Sequence, residues 1–156
     1  MRRTQATDCR TLQFDVAVVF AAVLDCESYP RWWPVHLRVR VLRVTPGSVG
    51  SRIEIRPRGG RFVCEIARVD PDREIEIEYV KDVHRGQGRW TFERLGDGTR
   101  AYYQIDLEPQ GWLPGVLSNW MDLGKMHSRS VGKVFDGLEE WLNARRTCAG
   151  GPQSSC

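Results

Sequence analysis

The chain has 156 residues, of which 41% are hydrophobic and 28% are charged, and its net charge is +3. These values are typical of a single soluble domain that builds one hydrophobic core. No apolar run approaches the roughly 18 residues of a membrane-spanning helix, and no apolar signal segment follows the charged N-terminus. We therefore expect a cytoplasmic monomer or homodimer without stable membrane insertion.

Basic residues are interleaved with acidic ones along the chain, and no nucleic-acid-binding motif occurs, so we expect no nucleic-acid partner. The five cysteines form no CxxC pair, and their spacing fits neither a zinc site nor a disulfide framework, which predicts reduced thiols. Three scattered histidines predict no metal site. The GxSxG, Walker, GxGxxG and HExxH motifs are absent, and we expect no cofactor.

The first elements are a strand and a short helix. Residues 4–14 alternate in polarity, which predicts a strand. Asp15 is placed to cap the helix that follows. Helical spacing puts four apolar residues on one face of that helix, namely Val19, Phe20, Val23 and Leu24.

An aromatic cluster follows this helix, on the segment Tyr29-Pro30-Arg31-Trp32-Trp33-Pro34. Its two prolines disfavour any longer helix. Aromatic side chains on a loop are costly to leave in water, so we expect the segment to cover an apolar surface. Trp32 and Trp33 are predicted to form a lid over a cavity entrance, with Trp112 and Leu113 on the facing loop. The alternative is an apolar plug that never opens.

Six runs between Val35 and Leu107 carry apolar residues at every second position and are separated by short turns. The first run begins at Val35, and the fifth covers residues 89–95. This pattern predicts an antiparallel meander with one apolar face. Gly86 and Gly88, just before the fifth run, are typical of a β-bulge. The predicted inward-facing residues are Leu37, Val39, Val41, Ile53, Ile55, Phe62, Cys64, Ile66, Ile75, Ile77, Tyr79, Trp90, Phe92, Tyr103, Ile105 and Leu107.

The opposite face of the meander is charged. Its arginines and glutamates are expected to pair across neighbouring strands on a solvated outer face, where such pairs contribute little stability. The alternative is a surface that docks an anionic partner. The residues concerned are Arg38, Arg40, Arg52, Arg56, Glu54, Glu65, Glu76 and Glu78.

A long amphipathic helix is predicted from Pro114, which suits a first helical turn, to about Arg146. Small residues occupy its apolar side or lie near it, at Gly124, Ser128, Gly132 and Gly137. They indicate either space beside the helix or close approach of another element, because glycine lowers helix stability. We expect one domain over residues 1–146 and a flexible tail over residues 147–156.

This order of elements resembles the START / Bet v 1-like (SRPBCC) superfamily, and within it the polyketide cyclase/dehydrase and coenzyme Q-binding branch. Three segments carry the resemblance: residues 19–25 leading to 29–34, Gly88-Arg89-Trp90-Thr91-Phe92 with residues 98–103, and Trp112-Leu113-Pro114. The resemblance implies an α+β helix-grip fold. In that fold a curved antiparallel sheet of about seven strands wraps a long C-terminal helix, and two short helices follow the first strand. Members of the superfamily bind lipids, sterols, polyketides, quinones or plant hormones in a cavity between sheet and helix, and a minority are enzymes.

The predicted ligand is therefore a hydrophobic small molecule, such as a lipid, a quinone or a polyketide-like compound, because the inward faces are almost entirely apolar. Each of these residues has the alternative role of ordinary core packing, and His127 that of an exposed or satisfied helix histidine. The predicted ligand-binding residues are Trp32, Trp33, Ile55, Cys64, Ile77, Tyr79, Trp90, Phe92, Tyr103, Trp120, Gly124 and His127.

Three functions remain open: a non-catalytic binding module, a polyketide cyclase/aromatase-type enzyme that promotes aldol closure and dehydration, and a partner that acts on a protein surface. The enzyme requires an acid/base and a hydrogen-bond donor for the oxyanion in the pocket. His127, Tyr103 and Tyr79 are the catalytic candidates. The discriminating observation is whether His127 and Tyr103 face one shared pocket.

Overall fold

The computed structural model describes residues 4–58, 60–81, 84–109 and 120–149. Seven strands form one antiparallel sheet in the order β1-β7-β6-β5-β4-β3-β2. Two short helices, α1 (Val16–Leu24) and α2 (Tyr29–Trp32), follow the first strand, and the long helix α3 spans Trp120–Ala149. The strands are β1 (Thr4–Leu12), β2 (Arg40–Arg43), β3 (Arg52–Ile55), β4 (Phe62–Asp70), β5 (Glu74–Lys81), β6 (His84–Leu95) and β7 (Gly98–Pro109). The predicted α+β helix-grip architecture is confirmed.

The start of α1 follows from local chemistry. The Asp15 side chain accepts a hydrogen bond from the backbone N–H of Ala17 at 2.9 Å, as an N-cap residue does. The buried face of the helix consists of Val16, Val19, Phe20 and Val23. β1 ends at Leu12, two residues before the predicted end of the first strand.

The two prolines of the aromatic segment lie on either side of the end of the four-residue helix α2. Pro30 lies in the first turn of α2, where its missing N–H has no partner to lose, and it does not end the helix. The Tyr29 hydroxyl donates a hydrogen bond to the carbonyl of Val23, which ties α2 to α1. The carbonyl oxygen of Trp32 approaches α3 so closely that a Cβ atom on Gly137 would lie 2.1 Å from it. Gly137 therefore permits the contact between α2 and α3.

The prediction that the second strand begins at Val35 is wrong. Residues Val35–Leu37 form a turn of 3₁₀ helix, and Arg38 adopts a left-handed backbone with φ of 43° before β2 starts. This turn places Leu37 in the core, and the Leu37 carbonyl accepts the backbone N–H of Arg56 at 2.7 Å. The segment after α2 is thereby held against the end of β3.

The two glycines at the start of β6 mark close contacts and no bulge. The pairing of β5 with β6 stays in register through Ile77↔Gly88 and Tyr79↔Gly86, and β6 begins five residues before the predicted run. A Cβ atom at Gly88 would lie 2.7 Å from the hydroxyl oxygen of Tyr103. Glycine here leaves room for the tyrosine.

Helix α3 includes residues 147–149, which were predicted to belong to the tail. Residues 150–156, and the predicted helix start at Pro114, lie outside the described residues. The part of α3 with described side chains buries an apolar stripe comprising Val131, Val134, Phe135, Leu138 and Leu142 against the sheet and the short helices. Within the described ranges, no helix has the length and apolarity needed to cross a membrane.

The prediction of a fully solvated charged face is wrong at one residue. Glu54 on β3 is only 1% exposed, and three arginines surround its carboxylate. Its oxygens lie 3.2 Å from Arg40 Nη2, 2.9 Å from Arg56 Nε and 2.5 Å from Arg61 Nε. Hydrogen bonding from Arg61 and then Arg56, together with the charge of Arg40, lowers the pKa of Glu54 although burial opposes it.

Candidate functional site: a cavity between the sheet and the long helix

A cavity of about 310 Å³ lies between the inward face of the sheet and α3. Its volume is at the lower end of the range for small-molecule sites in proteins. Most of the described lining is apolar or aromatic, and a few polar side chains join it. The described lining residues are Trp33, Leu37, Ile55, Pro57, Arg58, Gly60, Arg61, Phe62, Tyr79, Trp90, Tyr103, Leu107, His127, Ser130, Val131 and Val134.

Helix α3 contributes one face to the cavity wall. His127, Ser130, Val131 and Val134 follow steps of three and four residues, so their side chains project on the same side of the helix. Val131 and Val134 are buried, whereas His127 and Ser130 are half-buried. The helix thus presents an apolar surface at one part of the cavity and polar atoms at another.

Two tyrosines from neighbouring regions of the sheet meet in the cavity wall. The hydroxyl oxygens of Tyr79 on β5 and Tyr103 on β7 are 2.8 Å apart and share a hydrogen bond. Burial is the main cause that raises the pKa of both phenols above their ordinary values. Both groups are therefore protonated near neutral pH, and one O–H of the pair remains free to donate to a bound molecule.

The imidazole of His127 lies beside this pair. Its ring stacks on the ring of Tyr103, with 5.8 Å between the centroids and 14° between the planes. Burial lowers the pKa of His127, and the nearby carboxylate of Asp8 partly opposes that shift. Its Nδ1 atom is buried and has no hydrogen-bond partner among the described residues. A neutral imidazole with an unused nitrogen is suited to accept or donate a proton at this wall.

The connection between β3 and β4 forms the exposed side of the cavity. Arg58, Gly60 and Arg61 line the cavity and are also exposed to solvent. Arg61 additionally contacts the Glu54 carboxylate, which holds this connection against β3. The open side of the site therefore carries positive charge, whereas the inner wall is apolar and aromatic.

The structure brings six of the predicted ligand-binding residues to this cavity and places four others elsewhere in the core. Those at the cavity are Trp33, Ile55, Tyr79, Trp90, Tyr103 and His127. Those packed elsewhere are Trp32, Cys64, Ile77 and Phe92, all of which are buried. The surroundings of Trp120 and Gly124, and the facing pair Trp112 and Leu113, lie outside the described residues.

Three of the predicted residues that do not line the cavity have a clear structural role or environment elsewhere in the core. Trp32 donates its indole N–H to the Ser28 hydroxyl at 2.9 Å. Burial raises the pKa of the Cys64 thiol to about 12, which keeps it protonated and unreactive. Phe92 packs edge-on against Phe20 of α1, with 5.5 Å between the ring centroids.

Several lining residues were missed by the sequence analysis. Ser130, Val131 and Val134 follow His127 at helical spacing, and that spacing was a usable signal. The sequence around Pro57, Arg58 and Arg61 indicates only a turn, and a turn sequence does not specify which part of the fold the turn packs against. The described residues contain no group of three His, Cys, Asp or Glu side chains arranged to hold a metal ion.

Solved structures share this fold. TTHA0849 from Thermus thermophilus is 18% identical, with a TM-score of 0.78 and coverage of 91% of this chain and 99% of that chain. A START superfamily protein from Mycobacterium smegmatis is 18% identical, with a TM-score of 0.70 and coverage of 90% and 97%. The Zhui aromatase/cyclase from Streptomyces sp. R1128 is 15% identical, with a TM-score of 0.77 and coverage of 97% and 100%. At these identities the likeness shows the fold alone.

Of the two sequence comparisons, one gives a match. No curated protein matches the chain in sequence. The model of one family, described as polyketide cyclase / dehydrase and lipid transport, matches residues 12–122, which is well over half of the chain. The chain therefore belongs to the polyketide cyclase / dehydrase and lipid transport family.

Proposed function

We propose that this protein binds a hydrophobic small molecule, lipid-, quinone- or polyketide-like, in the cavity between the sheet and α3. The observation that carries the proposal is the cavity of about 310 Å³, whose inner wall is apolar and aromatic. An apolar and aromatic surface of this extent that is open to water is costly to leave hydrated, and a ligand that covers it would remove that cost. The family description, which includes lipid transport, supports the same interpretation.

Filling the cavity tests this proposal. Val131→Phe places a ring into the space from α3, whereas Val18→Phe makes the same change on the half-exposed side of α1. Calorimetry with 2-acetylnaphthalene as the probe is expected to show an affinity loss of about tenfold or more for Val131→Phe, because the ring and the probe compete for the same volume. Val18→Phe is expected to bind like wild type. Equal affinity in all three proteins would contradict the proposal.

A specific observation favours a second function, that of a cyclase/aromatase-type enzyme. His127 and Tyr103 line one cavity with their rings stacked, and the Tyr103 hydroxyl is hydrogen-bonded to the Tyr79 hydroxyl. In an aldol closure, neutral His127 would take a proton from the carbon between two carbonyl groups. That carbon then forms a bond to the carbon of a third carbonyl group, whose C=O π bond breaks, and a tyrosine O–H stabilises the oxygen that becomes negative. The imidazolium of His127 returns its proton to this oxygen, which gives a hydroxyl. Neutral His127 then removes the remaining proton of the same carbon, and the hydroxyl takes up that proton as it leaves as water.

A synthetic poly-β-ketone thioester tests this second function. We expect the wild-type protein to form the cyclised aromatic product faster than buffer does, as followed by absorbance. His127→Ala is expected to lower that rate about 100-fold or more, within the range for loss of a general acid/base. The same variant is expected to keep most of its affinity for 2-acetylnaphthalene. A rate in His127→Ala equal to that of wild type excludes the catalytic role and leaves the binding function intact.

A further inference from the structure

Trp32 and Trp33 are adjacent in the sequence, but their side chains make different contacts. Trp32 is buried, and its indole N–H donates to the Ser28 hydroxyl at 2.9 Å. Trp33 is half-buried and lines the cavity, where its ring stacks on Tyr29 with 4.9 Å between centroids and 21° between planes. The Nε1 atom of Trp33 is buried and has no hydrogen-bond partner in the described part of the chain.

The unpaired donor of Trp33 is unusual. Buried polar groups in folded proteins are nearly always hydrogen-bonded, because a buried donor without an acceptor loses its bond to water and gains nothing. Trp32 shows that the same segment can supply an acceptor to an indole N–H. The donor that remains unpaired belongs to the tryptophan on the cavity wall, although its nitrogen is covered while the cavity is empty.

We propose that Trp33 determines ligand specificity by donating its indole N–H to an oxygen acceptor of the bound molecule, such as a ketone, quinone or phenolic oxygen. The proposal rests on the binding function proposed above. Because the nitrogen is covered in the empty protein, the indole must turn about its side-chain torsions as the oxygen seats. Ring stacking on Tyr29 permits such a turn more readily than the hydrogen bond that fixes Trp32.

A second unpaired nitrogen supports an oxygenated ligand. His127 Nδ1 is also buried without a partner among the described residues, and His127 lines the same cavity. A hydrocarbon or an unfunctionalised acyl chain would leave both nitrogens unpaired. A molecule with oxygens at more than one position would pair both once each ring had turned towards it, so the inferred ligand carries oxygen acceptors on an apolar body.

A matched pair of probes tests the role of Trp33. 2-Acetylnaphthalene carries a ketone, and 2-ethylnaphthalene has nearly the same shape without the acceptor. Calorimetry is expected to show that Trp33→Phe, which keeps an aromatic ring and removes the N–H, weakens ketone binding about five- to tenfold. The same change is expected to alter hydrocarbon binding less than twofold. In Trp32→Phe, any loss of affinity is expected to be equal for both probes.

The outcomes separate this inference from the proposed function. If both probes bind wild type and Trp33→Phe leaves their affinity ratio unchanged, the role of Trp33 is overturned. If neither probe binds wild type, the proposed binding function fails, and this inference fails with it. Should Trp33→Phe not fold, ¹⁵N-labelled indole groups in the wild type give the answer: the ketone, and not the hydrocarbon, must shift the Trp33 N–H resonance.

Discussion

At the scale of single residues, the wall of the cavity is mostly apolar and contains one small polar group, formed by the side chains of Tyr79, Tyr103 and His127. Tyr79, Tyr103 and His127 come from two strands and a helix, and the rings and hydroxyls contact one another directly. Gly88 makes this possible because its missing Cβ leaves space for the Tyr103 hydroxyl. The polar group therefore depends on a residue that carries no polar side chain.

The tyrosine pair is expected to behave as a coupled unit. Tyr79→Phe or Tyr103→Phe alone leaves the other buried hydroxyl without its partner, and each is expected to lower the free energy of unfolding by about 1 kcal/mol or more. The double variant is expected to lose less than the sum of the two, with a coupling of about 1 kcal/mol. Urea unfolding of the four proteins measures this coupling. Strict additivity would show that the hydroxyls do not stabilise each other.

His127 is expected to make stability depend on pH. Its pKa in the folded protein lies below the ordinary value of 6.5, so the unfolded chain binds more protons as the pH falls through 6.5. The wild type should therefore lose free energy of unfolding below about pH 6.5, relative to His127→Gln, until the pH is below the folded pKa. His36→Gln, at an exposed position, serves as the control. Parallel curves for wild type and His127→Gln between pH 5 and 8 would contradict this expectation.

At the scale of elements, α3 is both a wall of the cavity and the support of the aromatic segment. Its face with His127, Val131 and Val134 lines the cavity, while Gly137 contacts the end of α2. Small residues on this helix indicate either space beside it or close contact with another element. Gly137 provides contact, whereas a Cβ atom at Gly132 would meet nothing within 4 Å outside the helix's own backbone.

These two glycines predict opposite effects of the same substitution. Gly137→Ala places Cβ 2.1 Å from the Trp32 carbonyl oxygen and is expected to lower the free energy of unfolding by about 1–3 kcal/mol. Gly132→Ala adds helix propensity in open space and is expected to raise it by up to about 1 kcal/mol. Chemical denaturation of both variants provides the measurement. The assignment of α2 to its place on α3 would be wrong if Gly137→Ala were as stable as Gly132→Ala.

At the scale of the whole molecule, the order of the elements could be predicted from periodicity and turns, and the positions of individual site residues only in part. Alternation of apolar residues identified the meander because one face of each strand is buried. It did not separate Trp33 from Trp32, because they are adjacent residues of one type and their different contacts, with Tyr29 and Ser28, appear only in the folded segment. The burial of Glu54 depends on other parts of the chain: Arg40 lies on β2 and Arg61 on the connection between β3 and β4.

The Glu54 cluster is expected to contribute to the stability of this end of the sheet. Because the pKa of Glu54 is lowered in the folded protein, its contribution is present above the unfolded value near 4.5 and is lost as the pH falls through the folded pKa. Glu54→Gln should reduce the urea midpoint at pH 7 and flatten its decline below pH 4.5. Glu78→Gln, at an exposed position on β5, is the matched control. A Glu54→Gln protein with the midpoint of the control would show that the arginines contribute nothing through this carboxylate.

The pairing of β1 with β7 has a consequence for how the chain reaches its folded state. Thr4 pairs with Leu107 and Leu12 with Thr99, so the first strand has its sheet partner only after about a hundred further residues have been synthesised. The meander from β2 to β7 joins neighbours in sequence and has low contact order by comparison. On the ribosome, the N-terminal strand therefore lacks its partner until β7 has been synthesised, and the addition of β1 to the edge of the sheet is a late event in biosynthesis.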